Sequence, residues 1–507
     1  MISLGFGDIA GVMQHTQKDG WSGGHNRYDW SANNWGGYYE NLRNSKELLR
    51  KAEETDNDFY AGVAKLFMAF NFGYIADLWG DAPFSEALQG KEGVKMPKYD
   101  PQKDIYMGIL ELLEEANTLL SKEQSAYNVN PPQDVLYGGS VSKWRKFANS
   151  LSIRYYLRIS EKERAFSENG IRKILEDPEM YPLILNVADD AAFEYPKNNA
   201  WPTNTVNNIE LQGDWMRLKM CSTLVEILRA YQDPRITVWA NRVETPIVFD
   251  PGRPHDFDQI INGERVFGQG LLDRWHTAYP NEPLNFNKDY IGLPPSWNSA
   301  AYYYNLNIDR HAQALPNPHA SHINDLYKND THPLLKARML SAAEMHFNLA
   351  EIALKGWGGN AEAHYYAGIK ASLDTWGVGD HYAAYITRPS VVHNEVTVRG
   401  VAFDGSLEQI MEQKWIASWT AAAEAWFDWR RTGLPDLKPA KHEVKRDAIP
   451  LRFYYGNNEL NYNTENVLKA IELYHERTPF TQTDGLVDGF DSAWSKTWLL
   501  QGTGKPW

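Results

Sequence analysis

Lys65-Leu-Phe-Met-Ala-Phe-Asn-Phe-Gly-Tyr-Ile-Ala-Asp-Leu-Trp-Gly-Asp-Ala-Pro-Phe-Ser-Glu-Ala-Leu88 decides how this chain is read. Phe59, Val63, Leu66, Phe67, Phe70 and Tyr74 recur at helical steps and draw one apolar stripe, so a helix is predicted from about Asp58 to Leu78. The helix cannot run on. Gly80 loosens the backbone, and Pro83 disfavours the helical region for Ala82. Asp77 and Asp81 are expected to bond nearby backbone amides and fix the exit. A long aromatic helix therefore ends abruptly in a rigid turn.

Helices flank this one in pairs. Tyr38 to Ala52 reads as its partner, with Leu42, Leu49 and Ala52 inward. Asp104 to Leu120 follows in helical phase, and then a stripe of Trp144, Phe147, Ala148, Leu151 and Tyr155, with Ser140 or Ser142 as candidate caps. Antiparallel helix pairs are the unit of a helical repeat, but no strict period of about 34 residues appears. The reading is diverged tetratricopeptide-like pairs. From about 178 to 335 Pro, Gly, Asn and Asp become frequent, and only Met220, Leu224, Ile227, Leu228 and Tyr231 draw a clear helical stripe. Helices return near Leu340.

Four stretches, in this order, resemble a known family. They are Asp77-Leu-Trp-Gly-Asp-Ala-Pro-Phe-Ser-Glu86; Ala343-Glu-Met-His-Phe-Asn-Leu-Ala-Glu-Ile-Ala-Leu-Lys-Gly356 with the Ala361-to-Ser372 segment; Ile410-Met-Glu-Gln-Lys-Trp415 running on to Glu424-Ala-Trp-Phe-Asp-Trp-Arg-Arg-Thr-Gly-Leu-Pro435; and Ile449-Pro-Leu-Arg-Phe-Tyr-Tyr-Gly-Asn-Asn-Glu459. The chain resembles the SusD/RagB-like surface glycan-binding lipoproteins of the outer membrane. Gly456 stands where that family usually shows Pro. Trp426, Arg430 and Arg431 read as locks between helix ends and loops. The resemblance implies a mostly α, SusD-like fold in one domain over 1–507, with a helical scaffold at about 36–177 and 336–478 and a loop-rich insertion at about 178–335.

Composition bounds the chemistry. Lys plus Arg total 51 against 65 Asp plus Glu, a formal charge of −14, and no basic run is present, which argues against nucleic acid as partner. No HExxH, G-x-S-x-G or C-x-x-C occurs. No cofactor is expected. Asp189-Asp190 and Asp256-Phe-Asp258 could join a calcium site through oxygen ligands, or be solvated loop carboxylates. The single cysteine, Cys221, lies in an apolar helical pattern and reads as a buried small hydrophobe. No run approaches the ~20 apolar residues of a spanning helix. Met1-Ile-Ser-Leu-Gly-Phe-Gly7 has no basic n-region or apolar h-region. Two readings stay open, a cytoplasmic protein or one whose export segment lies outside this sequence.

The unusual number is 19 Trp, 28 Tyr and 19 Phe. Any single ring could serve a core. Rings within Gln17 to Trp35 and Asn285 to Asn305, among Gly, Asn and Pro, are harder to place there. An aromatic face beside short polar groups suits a sugar, whose C–H face stacks while its hydroxyls bond. The resemblance places ligand contacts in the loop before the first helix pair and in the insertion. Here those are Asp19, Trp21, Tyr28, Asp29 and Trp30, then Tyr290, Trp297 and Tyr302. It implies a non-enzymatic capture protein on the outer-membrane surface, held by an N-terminal lipid anchor and working with a SusC-like TonB-dependent transporter. The rivals are a glycoside hydrolase, which needs two carboxylates ~5–9.5 Å apart across the platform, and a peptide-capturing relative.

Overall fold

The computed structural model describes residues 7–18, 24–28, 30, 32–194, 217–278, 280, 284–295, 317–328, 332–393, 396–439, 448–481, 491–505 and 507. The deciding stretch forms helix α2, Asp58–Trp79, after α1, Gly36–Glu54. Asn57 caps α2 by accepting from the Tyr60 amide at 3.2 Å, and Gly80 ends it. From Ala69 to Trp79 every side of α2 is buried, so its stripe is no longer one-sided. By length and composition this helix could cross a membrane, contrary to the sequence reading, but most of it is enclosed by other helices.

α2 packs against α1, against α3 (Gln102–Leu119) and against α4 (Val141–Ile159), which is followed by α5 (Arg164–Glu176). Ser140 stands at the α4 N-cap but makes no side-chain cap bond; the Val141 amide goes to Gln124 Oε1 instead, at 3.0 Å. After α6, Ser222–Ala230, the frame resumes with the α7–α8 hairpin, Ala342–Leu354 and Ala361–Thr375, then α9, Leu407–Ala417, and α10, Ala422–Thr432. Ser341 and Asn360 cap α7 and α8. The fold is the mostly α, helix-pair architecture that the four motifs imply.

The exit of α2 is held from far away rather than locally. Asp77 Oδ1 accepts from the Tyr106 hydroxyl at 2.7 Å, and Asp81 Oδ1 accepts from the Gln102 amide at 2.7 Å. This corrects the expectation of nearby amides. Arg430 donates to the Asp77 carbonyl at 2.7 Å and to the Leu451 carbonyl at 2.6 Å, and Trp426 donates to the Pro450 carbonyl at 2.9 Å. The Phe453 amide reaches the Leu78 carbonyl at 2.7 Å. The first, third and fourth motifs therefore meet at one junction, and the locking role read for Trp426 and Arg430 is what the geometry shows.

Behind that junction lies a buried ionic cluster. Arg154 forks onto Glu344 with two 2.7 Å bonds and meets Glu424 at 3.3 Å; Arg158 meets Glu424 at 2.6 Å and Asp77 at 3.7 Å. Arg431 forks onto Glu351. These pairs join α2, α4, α7 and α10.

The insertion has more regular structure than its composition suggested. A small sheet contains β4 (Ile247–Phe249), β5 (Asp258–Ile261) and β6 (Glu264–Phe267), in the order β4-β6-β5. Asn262-Gly263, with φ of 50° and 82°, turns β5 into β6. Val243, Ile247, Phe267, Leu271, Trp275, Leu284, Ile291 and Leu293 form a second core beside the main one. Strands of three or four residues are too short for alternation to show in sequence.

Candidate functional site

The N-terminal segment and the insertion meet in one ribbon. β1, Thr16–Lys18, pairs antiparallel with β3, Leu218–Met220, and the Cys221 amide donates to the His15 carbonyl at 3.0 Å. On the other edge of β3 the Leu293 amide donates to the Met220 carbonyl at 2.9 Å, the Ser222 amide to the Leu293 carbonyl at 2.7 Å, and the Met220 amide to the Ser321 carbonyl at 3.0 Å. Lys219, fully buried, donates to the Asn317 carbonyl at 2.7 Å and contacts His322 Nε2. The chain leaves this ribbon at Lys18, ahead of 19–23, and at Pro295, ahead of 296–316.

Long-range bonds anchor the ribbon to the frame. His15 Nε2 lies 3.1 Å from the Trp415 carbonyl, and Trp415 Nε1 donates to the Met13 carbonyl at 2.9 Å. Burial lowers the His15 pKa to about 4, so the ring is neutral at pH 7. Asn26 grips the end of β1 twice: it accepts from the Lys18 amide at 2.9 Å and donates to the Lys18 carbonyl at 2.6 Å. Cys221 is buried within the ribbon, and burial pushes its thiol up to about 12, so it is no nucleophile.

The expected contact residues divide. Asp19, Trp21, Asp29, Trp297 and Tyr302 lie outside the described residues. Tyr28 is fully buried and Trp30 is 5 % exposed. The Trp30 ring sits edge-on to Trp426 and Phe453, with centroids 5.2 and 5.0 Å away. Two rings read as solvent-facing are thus core; the polar residues around them masked partners from the C-terminal motifs. Tyr290 is half-buried, its amide bonded to Asn287 Oδ1 at 2.8 Å. Phe286, four residues earlier, is 43 % exposed and is not among the expected contacts. Its signal was there, an aromatic between Asn285 and Asn287. Phe286 leans on Phe267 with centroids 6.3 Å apart, so its ring stands on the second core.

The carboxylates offered for calcium are engaged by the protein. Asp189 pairs with Lys146 at 2.7 Å, Asp258 with Arg265 at 2.6 Å, and Asp256 with His255 at 2.9 Å. Asp190 Oδ1 accepts from the Ala342 amide at 2.8 Å, at the start of α7. Among the described residues, no group of three His, Cys, Asp or Glu side chains is placed to hold a metal. Burial lifts the Asp190 pKa from 3.8 to about 7. The folded state therefore binds the proton more tightly than the unfolded chain does. Stability falls as pH rises from about 4 through 7, and is flat above. Asp190→Asn keeps the acceptor and removes the charge. It should melt like the parent at pH 4 and be more stable at pH 8 by ~1–2 kcal/mol, read from thermal unfolding at the two pH values.

The family model described as "Starch-binding associating with outer membrane" matches residues 6–247 and 287–456. Among curated proteins no relative matches the sequence. Solved structures do match. A SusD homologue from Bacteroides fragilis is 22% identical over 98% of this chain and 95% of its own, with a TM-score of 0.71. A chitin-binding protein is 23% identical over 97% and 93%, also at 0.71. A chitin-binding SusD homologue from Flavobacterium johnsoniae is 21% identical over 93% and 91%, at 0.69. Matched over both halves of its helical frame and over β1 and β3 of the ribbon, the chain belongs to the SusD-like family.

Proposed function

We propose that this protein captures oligo- or polysaccharide at the outer-membrane surface without cleaving it, and hands it to a TonB-dependent transporter of the SusC type. The observation that carries this reading is the ribbon. It brings Thr16–Lys18, at the start of the ring-bearing Gln17–Trp35 stretch, and Leu293, within the Asn285–Asn305 stretch, to opposite edges of one strand. Phe286 and Tyr290 are its described aromatic faces, with Asn285 and Asn287 beside them. Chitin-binding relatives of the same fold favour a β-linked amino-sugar chain as the first ligand to try. A lipid anchor beside the transporter would raise the local ligand concentration, so a modest affinity suffices.

Calorimetry against chito-oligosaccharides, malto-oligosaccharides and mixed glycans tests this. Phe286→Ala and Tyr290→Ala are each expected to weaken the best ligand about tenfold, which is ~1.4 kcal/mol. Binding to no glycan in the panel would defeat the reading. Release of shortened products in the same tubes would replace it with a glycoside hydrolase.

A further inference from the structure

His346 on α7 and His364 on α8 face each other across the helix hairpin. Their Nδ1 atoms are 3.1 Å apart and their ring centroids 5.4 Å apart. The Nε2 of His346 lies 3.1 Å from the Leu185 carbonyl oxygen. A carbonyl only accepts, so His346 carries its proton on Nε2 and turns a lone pair on Nδ1 toward His364. With no ion present, His364 Nδ1–H donates into that lone pair.

Nitrogen ligands sit ~2.0–2.1 Å from a bound zinc-sized ion. At right-angled or tetrahedral geometry, two of them are then about 2.9–3.4 Å apart. The present 3.1 Å separation, that of the N–H···N hydrogen bond, is close to that range, so the two nitrogens need little net change in distance to share an ion. We propose that His346 and His364 form a two-histidine site for one divalent transition-metal ion, of the zinc, nickel or copper class, which takes the place of the shared proton. The rings point at one another, so each must turn about its last torsion for both lone pairs to converge; that torsion is broad and the backbone need not move. His364 then holds its proton on Nε2, and none is lost.

Two further observations fit. A histidine that ligates a metal usually donates its other N–H to a carbonyl or carboxylate, which fixes the ring; His346 already does so to Leu185. Both rings are only half-buried, so an ion from solvent can reach the pair. No third histidine, cysteine or carboxylate joins them among the described residues, so water would complete the shell. An imidazole pair without carboxylates suits copper, nickel and zinc and not calcium or magnesium, which take oxygen. Leu185 precedes β2, Ala191–Glu194, which pairs with β7, Lys336–Leu340, so an ion here would pin that connection to the α7–α8 hairpin.

The test uses the intact, tag-free protein. Cu2+, Ni2+ and Zn2+ are titrated by calorimetry, with thermal unfolding in parallel. One ion per chain is expected, tightest for copper, with a melting point that rises as the site fills. His346→Ala and His364→Ala should each weaken binding at least tenfold and abolish the thermal shift, while His381→Ala, at an exposed position, should change neither. A melting curve without ion checks that each variant is folded. No saturable binding at one ion per chain, or the same affinity and thermal shift in the two variants, would overturn the site and leave a plain N–H···N hydrogen bond.

Discussion

Replacing Glu424 by glutamine is expected to destabilise the fold by ~3–5 kcal/mol, the size seen when one member of a buried ion pair is removed. Glu424 is 5 % exposed. One carboxylate oxygen takes Arg158 at 2.6 Å and the other lies 3.3 Å from Arg154. Around it, Arg154, Arg158 and Arg430 are met by Glu344, Glu424 and Asp77, three cations by three anions. Glutamine fills the same space, so no cavity contributes. The loss is one negative charge, and guanidinium cannot respond by shedding its proton. For a chain of this size melting as one unit, the entropy of unfolding scales with length, and the midpoint should fall by about 3–5 °C. Being out of water, the effect should persist at high salt. Glu47→Gln removes an exposed partner of Arg50 on α1 and should leave the midpoint unchanged. An unchanged midpoint for Glu424→Gln would mean that the cluster is not holding α4 to α10.

What was legible in the sequence, and what was not, follows from the range of the forces involved. The helices were legible because their apolar spacing is local. The junction was legible because the motifs carry side chains that make many bonds at once: Trp426 and Arg430 reach the fourth motif, and Arg430 also reaches the end of α2. The burial of Trp30 was not legible. Asn and Gly around it read as surface, and only Trp426 and Phe453, from the other end of the chain, decide that the ring goes inward. Asp77 was misread for the same reason. A short acidic residue at a helix end usually bonds locally, but here Tyr106, Arg158 and Arg430 surround it. The ribbon was hidden too: its strands are three residues long, and Lys219 in the middle of β3 looks like a surface residue until its carbonyl acceptors are seen.

Gly292→Ala should weaken capture at least tenfold while leaving the helical frame standing. A Cβ on Gly292 would lie 2.4 Å from the Ser222 amide nitrogen and 2.5 Å from the Cys221 carbonyl carbon and the Ser222 Cα. All three are backbone atoms, so no rotamer change relieves the clash. The Ile291–Leu293 segment must lift off β3, and the two bonds that Leu293 makes to Met220 and Ser222 must break. Ile291 and Leu293 belong to the second core, not to the core of α1–α10, so the damage stays in the insertion. Phe286 and Tyr290 just before the break would lose their fixed placement. A fall of at least tenfold in glycan affinity, ~1.4 kcal/mol, is therefore expected, with faster proteolytic cleavage in the insertion and little change in the main melting transition. Gly37→Ala is the control: its Cβ meets nothing within 4 Å, on helix α1. If Gly292→Ala is cleaved faster in the insertion yet binds glycan as tightly as the parent, the sugar is held elsewhere than on this ribbon.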